Sequence, residues 1–181
     1  MKNSKKIYQL VSASLIAAMY AVLTFVIAQF AYGAVQLRLS EALTVLPMYT
    51  SSAIPGLTVG CLLANIIGLS LGKTMIWDVL FGTMASLIAA VLTRWIGKSK
   101  NRAVRYLLGP FPAVIVNAII VGIEITIFFT DGAASMAAFW MNFFSVFIGQ
   151  AIVCYAIGIP LMLLMERNDL YKRIFRIDSI Q

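Results

Sequence analysis

Long apolar stretches divided by short polar or basic ones set the pattern of this chain. No charged residue lies between Lys6 and Arg38, between Glu41 and Lys73, or between Asp131 and Glu166. Each gap exceeds the ~20 residues that carry an α-helix across a bilayer. The runs are continuous, whereas a transmembrane barrel needs ~10-residue segments of alternating polarity. They predict an all-α integral membrane protein, a single bundle over residues 1–181 with no soluble second domain. Composition agrees: 61% of the chain is hydrophobic and 12% charged, against roughly 45–50% and about 25% in soluble domains. The first run follows Lys2, Lys5 and Lys6 and is longer than the ~7–15 residues of a secretory h-region, so it reads as an uncleaved first span.

Charge then orders the spans. Of the 14 Lys and Arg residues, all but Arg38 and Lys73 fall in three clusters: Lys2, Lys5, Lys6; Arg94, Lys98, Lys100, Arg102, Arg105; and Arg167, Lys172, Arg173, Arg176. Basic residues of short loops stay on the cytoplasmic side, which predicts cytoplasmic termini and an even number of spans between clusters. Residues 106–166 supply two, joined outside by a polar turn at Thr130, Asp131 and Gly132. Residues 7–93 first look like three, and the count becomes even if 41–72 is a hairpin. Tyr49 to Gly56 supports that reading with N-cap hydroxyls, Pro55 near a first helical turn, and a glycine. Six helices result, at about 8–30, 39–51, 53–71, 75–96, 107–130 and 135–165. The second reaches only about 20 Å at ~1.5 Å per residue and holds Pro47, so it belongs inside protein.

Polar residues inside the runs are the candidate chemistry. This topology places Arg38 and Glu41 at the outer mouth of the second helix and Trp77 and Asp78 at the outer end of the fourth. Glu124 falls about two turns below the outer end of the fifth, and Trp140 and Asn142 near the outer start of the sixth. Ionisable groups within spans are costly and usually face an interior with a function. Asn117 and Glu124, seven apart, share a helix face; so do Asp78, Gly82 and Ser86, with Gly82 leaving space beneath the carboxylate. Plainer readings compete. Arg38 and Glu41, three apart, suit a rim salt bridge, the tryptophans suit an interfacial belt, and Asn65, Asn117, Asn142 and Gln150 suit hydrogen bonds between helices.

Ala13, Ala17 and Ala21 recur every four residues along the first helix, flanked by Ser14 and Ala18. A small-residue face admits another helix closely, whether of a partner or of the chain's own bundle. With no histidine and with Cys61 and Cys154 inside apolar runs, the chain offers no zinc or haem site of usual spacing and no evident disulfide. No ATP-binding loop, nucleophile elbow or metalloprotease helix occurs, so any energy must come from a partner or an ion gradient.

The stretch Tyr32-Gly-Ala-Val-Gln36-Leu-Arg38-Leu-Ser40-Glu41 through Pro47, then Ile54-Pro-Gly56, Gly60 to Asn65 and Trp77-Asp78 to Gly82, resembles the QueT family. These are proposed queuosine-precursor transporters, similar to the substrate-binding S components of energy-coupling factor (ECF) transporters. The resemblance covers nearly the whole chain. It implies a cell-membrane protein that captures a vitamin-like solute in its outer half. Through its first helix it would dock on a transmembrane coupling subunit served by two cytosolic ATPases. The docking motif maps onto Ala13 and Ala17, or one residue later onto Ser14 and Ala18. A 7-deazaguanine suits the residues, because a guanine-like edge presents adjacent N–H donors to a carboxylate and its ring stacks on aromatic faces. Asp78 and Glu124 are the candidate carboxylates, Asn142 a partner for the opposite edge, and Trp77, Trp140 and Tyr32 the stacking candidates; Arg38 and Glu41 complete the set. No cofactor, metal or nucleic acid is implied. Beside this non-enzymatic reading stand a stand-alone transporter driven by H⁺ or Na⁺ at Asp78 or Glu124, and an S component for another vitamin.

Overall fold

The computed structural model describes residues 2–26, 37–128 and 134–175. Among these, every regular element is helical: α1 (Lys2–Val26), a 3-10 segment (Leu39–Met48), α2 (Ala53–Ser70), α3 (Ile76–Ile96), α4 (Arg102–Leu108), α5 (Phe111–Phe128), α6 (Met136–Ala156), α7 (Gly158–Glu166), a 3-10 turn (Arg167–Asp169) and α8 (Leu170–Ile174). Five stretches are long and apolar enough to cross a membrane, and Leu39–Met48 is a shorter apolar sixth. The all-helical membrane bundle expected from the runs is the fold observed. Large apolar side chains such as Leu15 and Val22 of α1, Leu80 and Met84 of α3, and Phe144 and Ile148 of α6 point outward. An apolar exterior of that extent belongs in lipid.

Prolines explain where the elements depart from the runs. The second run is wound as 3-10 helix over ten residues, with Pro47 inside it. Pro47 has no N–H to give Leu43 an α-type bond, and the Thr44 hydroxyl takes the Glu41 carbonyl at 2.5 Å. At about 2.0 Å per residue the segment reaches roughly 20 Å, where an α-helix of ten residues would reach about 15 Å. All but Leu39 of its residues are buried, and it packs against α1, α3, α6 and α7, which makes it the inner strut of the bundle. The run expected at 107–130 is divided by Gly109-Pro110 into α4 and α5. The run expected at 135–165 breaks at Ile157, three residues before Pro160, into α6 and α7.

The three basic clusters meet at one end. Tyr8 donates to the Ile174 carbonyl, Arg94 Nη1 to the Pro47 carbonyl at 3.1 Å, and Arg105 pairs with Glu166 at 2.5 Å. The turn at 49–52 lies at this end too. Asp78, in the first turn of α3, lies about 24 Å along the helix from Arg94 at ~1.5 Å per residue, so the buried carboxylates belong to the opposite half.

Candidate functional site

Arg38, which ends the chain's approach to the 3-10 segment, organises the site. It is 5% exposed, and Glu41 is 2% exposed, so both side chains lie inside the bundle. Their side chains also diverge. Arg38 Nη1 donates to Asn65 Oδ1 of α2 at 3.3 Å, and Nη2 lies 4.0 Å from Asp78 Oδ1 of α3. Glu41 receives the Tyr20 hydroxyl of α1 at 2.5 Å and the Asn117 amide of α5 at 3.3 Å. A one-turn rim ion pair is therefore replaced by two separate networks that tie the 3-10 segment to four helices. The cost of burying these charges is offset only because each finds specific partners.

Asp78 is anchored by its own helix, its Oδ2 accepting from the Met75 N–H at 2.9 Å as part of a capping box. Asn65 Nδ2 reaches the Asp78 carbonyl at 2.8 Å. Glu124 of α5 is 1% exposed, and beside the Asp78 carboxyl its oxygens have no other hydrogen-bond partner among the described residues. Asp78 is its foremost electrostatic neighbour, followed by Arg38. Three carboxyl groups, those of Glu41, Asp78 and Glu124, thus lie within Coulombic reach of one guanidinium. Glu41 is satisfied by neutral donors and Asp78 by a helix N-terminus and Arg38, while Glu124 has the Asp78 carboxyl beside it and no other hydrogen-bond partner among the described residues.

Other expected residues are placed elsewhere. Trp77 stacks on Phe128, rings 4.3 Å apart and 15° from parallel, with Phe81 beside it. Trp140 belongs to an aromatic run with Phe139, Phe143 and Phe144 on α6 and is half-exposed. Asn142 donates to Thr126 at 3.0 Å, beside an apolar cleft of about 360 Å³ lined by Thr126, Ile123 and Phe139. That is a different face of α5 from the one bearing Asn117 and Glu124. Tyr32, Gln36 and the Asp131 turn lie outside the described residues.

The α1 stripe divides in two. Ala13 and Ala17 face α2, where a Cβ on Gly56 would stand 2.8 Å from the Ala13 carbonyl and one on Gly60 2.9 Å from the Ala17 carbonyl. Two glycines four apart are what such backbone proximity requires. Ala17 is 4% exposed and Ala21 half-buried, so this stripe packs within the bundle. Ser14 and Ala18 are exposed on the other side of the helix. Tyr20, Asn65 and Asn117 emerge as site residues; the sequence offered the two asparagines as polar groups between helices and did not single out Tyr20. For Tyr20 a signal existed, because a tyrosine in mid-span needs a partner for its hydroxyl.

Fold and site together define a multi-pass helical membrane protein with a polar, carboxylate-rich interior confined to one half. Residues 10–167 match the family described as QueT transporter. The chain belongs to this family, which is one of transporters and not of enzymes. A protein of Lactococcus lactis subsp. cremoris named Queuosine precursor transporter QueT is 31% identical over 91 residues, covering 49% of this chain and 50% of that protein. The match thus spans about half the length of that relative. No solved structure matches.

Proposed function

We propose that this protein is the substrate-binding membrane subunit of an ATP-driven ECF-type importer, and that it captures a 7-deazaguanine precursor of queuosine in the half of the bundle that holds Arg38, Asp78 and Glu124. The observation that carries this reading is the buried pair of Glu124 and Asp78: two carboxyl groups against one another, with no other hydrogen-bond partner on Glu124 among the described residues, cost several kcal/mol unless a shared proton or the donors of a ligand bridge them. The adjacent N–H groups of a guanine-like edge do so in bidentate fashion. Membership in the QueT family and the name of the Lactococcus relative support the ligand class. The basic end faces the cytoplasm, which places the acidic half outward. The exposed Ser14/Ala18 face of α1 docks on the coupling subunit, to which two cytosolic ATPases bind.

Calorimetric titration of purified protein with 7-deazaguanine, guanine and thiamine tests this. Wild type binds the deazaguanine, and Glu124→Gln or Asp78→Asn loses at least about tenfold, the worth of one charge-assisted bond at about 1.5–3 kcal/mol. Thiamine binding without deazaguanine binding would refute the ligand class. The same buried Glu124–Asp78 pair favours a second reading, a proton-coupled transporter acting alone. Uptake by the solitary protein under a pH gradient, with no ATPase present, would establish it.

A further inference from the structure

Asp78 and Glu124 meet where α3 packs against α5, and they are only 6% and 1% exposed. One Asp78 oxygen takes the Met75 N–H at 2.9 Å, and the other lies 4.0 Å from Arg38 Nη2. Arg38 is not committed to this pair alone, since its Nη1 donates to Asn65 Oδ1 at 3.3 Å. No N–H or O–H donor of the described residues reaches either oxygen of Glu124. The group hydrogen-bonded to it is the Asp78 carboxyl itself. The α2 side of the pair is filled: the space expected at Gly82, one turn beyond Asp78, holds the Asn65 amide, whose Nδ2 would stand 2.9 Å from a Cβ there.

Two ionised carboxylates carry acceptors only and cannot hydrogen-bond to one another. A contact between two carboxyl groups exists only with a hydrogen inside it, and two such groups sharing one buried site do not both ionise. The surroundings do not lift that restriction. The 3-10 segment and the residue before it bring Glu41 and Arg38, with Tyr20 of α1 behind Glu41; α2 brings Cys61. The titratable side chains of α6, Cys154 and Tyr155, sit at its far end, and the cations of α4 belong to the basic end. Among the described residues, Arg38 is therefore the cation that acts on Glu124. With one proton held, the pair carries a single negative charge opposite that guanidinium; with none, it carries two.

We infer that Asp78 and Glu124 form a proton-binding site, in which one proton held between the two carboxyl groups at neutral pH joins α3 to α5. The proton comes from water and returns to it, and the pair takes it up as a unit. The inference goes beyond the ligand reading and does not need it, because no ligand enters its test. It has a thermodynamic consequence. In the unfolded chain these carboxyls titrate at about 4, so at neutral pH the folded state holds one proton more. The stability that this bridge contributes is complete at neutral pH and is lost as pH rises through the point where the folded pair lets go.

Infrared spectroscopy of the purified full chain in micelles at neutral pH tests the inference. Wild type shows the carbonyl stretch of a protonated carboxylic acid, shifted in D₂O. Glu124→Gln and Asp78→Asn each lose that band, because the amide now donates the hydrogen the pair lacked and the remaining carboxyl ionises near Arg38. Glu41→Gln, folded as wild type, keeps it. Absence of the band in wild type overturns the inference. So does a band that survives Asp78→Asn, since burial alone would then protonate Glu124, and so does one that vanishes in Glu41→Gln. Where one amide variant fails to fold, the unfolding midpoint of the other against pH decides. Wild type falls on the alkaline side and the amide variant, which needs no proton, falls less; parallel curves overturn the inference.

Discussion

The Tyr20 hydroxyl donates to Glu41 Oε1 at 2.5 Å across the interface between α1 and the 3-10 segment, with both residues buried. Glu41 is 2% exposed, and this hydroxyl and the Asn117 amide are the donors that reach its carboxylate. The bond joins the helix with the most exposed side to the strut that carries Arg38.

Tyr20→Phe should therefore destabilise the protein by about 1–3 kcal/mol, the usual cost of leaving a buried acceptor unmade. Equilibrium unfolding in micelles measures it. In a Glu41→Gln background the same change should cost less, because the acceptor that needed the hydroxyl has become neutral. Additive losses would mean that the hydroxyl and the carboxylate do not act on one another.

At the basic end, Glu166 accepts from Arg105, from Tyr106 at 2.9 Å and from Tyr49 at 3.2 Å, with Arg102 at 3.5 Å. Burial and the Glu166 carboxylate hold the Tyr49 phenol above its ordinary range, so it remains a donor at all physiological pH. Glu166→Gln puts an amide N–H against Arg105, and a partly exposed pair of this kind should cost about 1 kcal/mol. Glu166→Lys, with a cation among cations, should cost clearly more. Thermal unfolding of the two variants ranks them, and equal midpoints would show that the cluster does not tie α7 to α4.

The spans and the gathering of the basic clusters were legible because both are written in local composition: charge-free runs, Pro47 and Pro55, and Lys and Arg grouped at loop positions. The winding of Leu39–Met48 was not, since hydropathy does not record which carbonyl an N–H chooses. The site was legible as a set of residue types and illegible as a set of partners. Arg38 meets Asn65 and Asp78 across 27 and 40 residues of chain, and nothing nearby in sequence distinguishes that pairing from one with Glu41. The two small-residue registers of α1 look alike on the helix itself; the deciding residues, Gly56 and Gly60, lie on α2.

The membrane orientation proposed from the same clusters is open to a direct check. With the buried Cys61 and Cys154 replaced by serine or alanine, a single cysteine at Lys100 should resist an impermeant maleimide added outside intact cells. One at Ser135, at the start of α6, should react. Outside labelling of position 100 would invert the bundle and move the carboxylate-rich half to the cytoplasmic side.

The two faces of α1 yield the last prediction. Ala17 lies against Gly60 with its carbonyl 2.9 Å from where a Cβ would be, so Ala17→Trp must push α1 off α2. Overpacking of a tight interface costs about 1–3 kcal/mol or more, and here it also displaces Tyr20, one turn on, from Glu41. Ala17→Trp should lower the unfolding midpoint and weaken ligand binding together. Ala18 points away from the bundle, and Ala18→Trp finds only lipid in the solitary protein, so midpoint and binding should stay near wild type. If α1 docks on a coupling subunit through this face, Ala18→Trp should nevertheless abolish co-purification of that subunit and its ATPases, and with it ATP-dependent uptake. Loss of uptake with assembly intact would place docking on another surface, whereas normal uptake would show that the Ser14/Ala18 face meets only lipid.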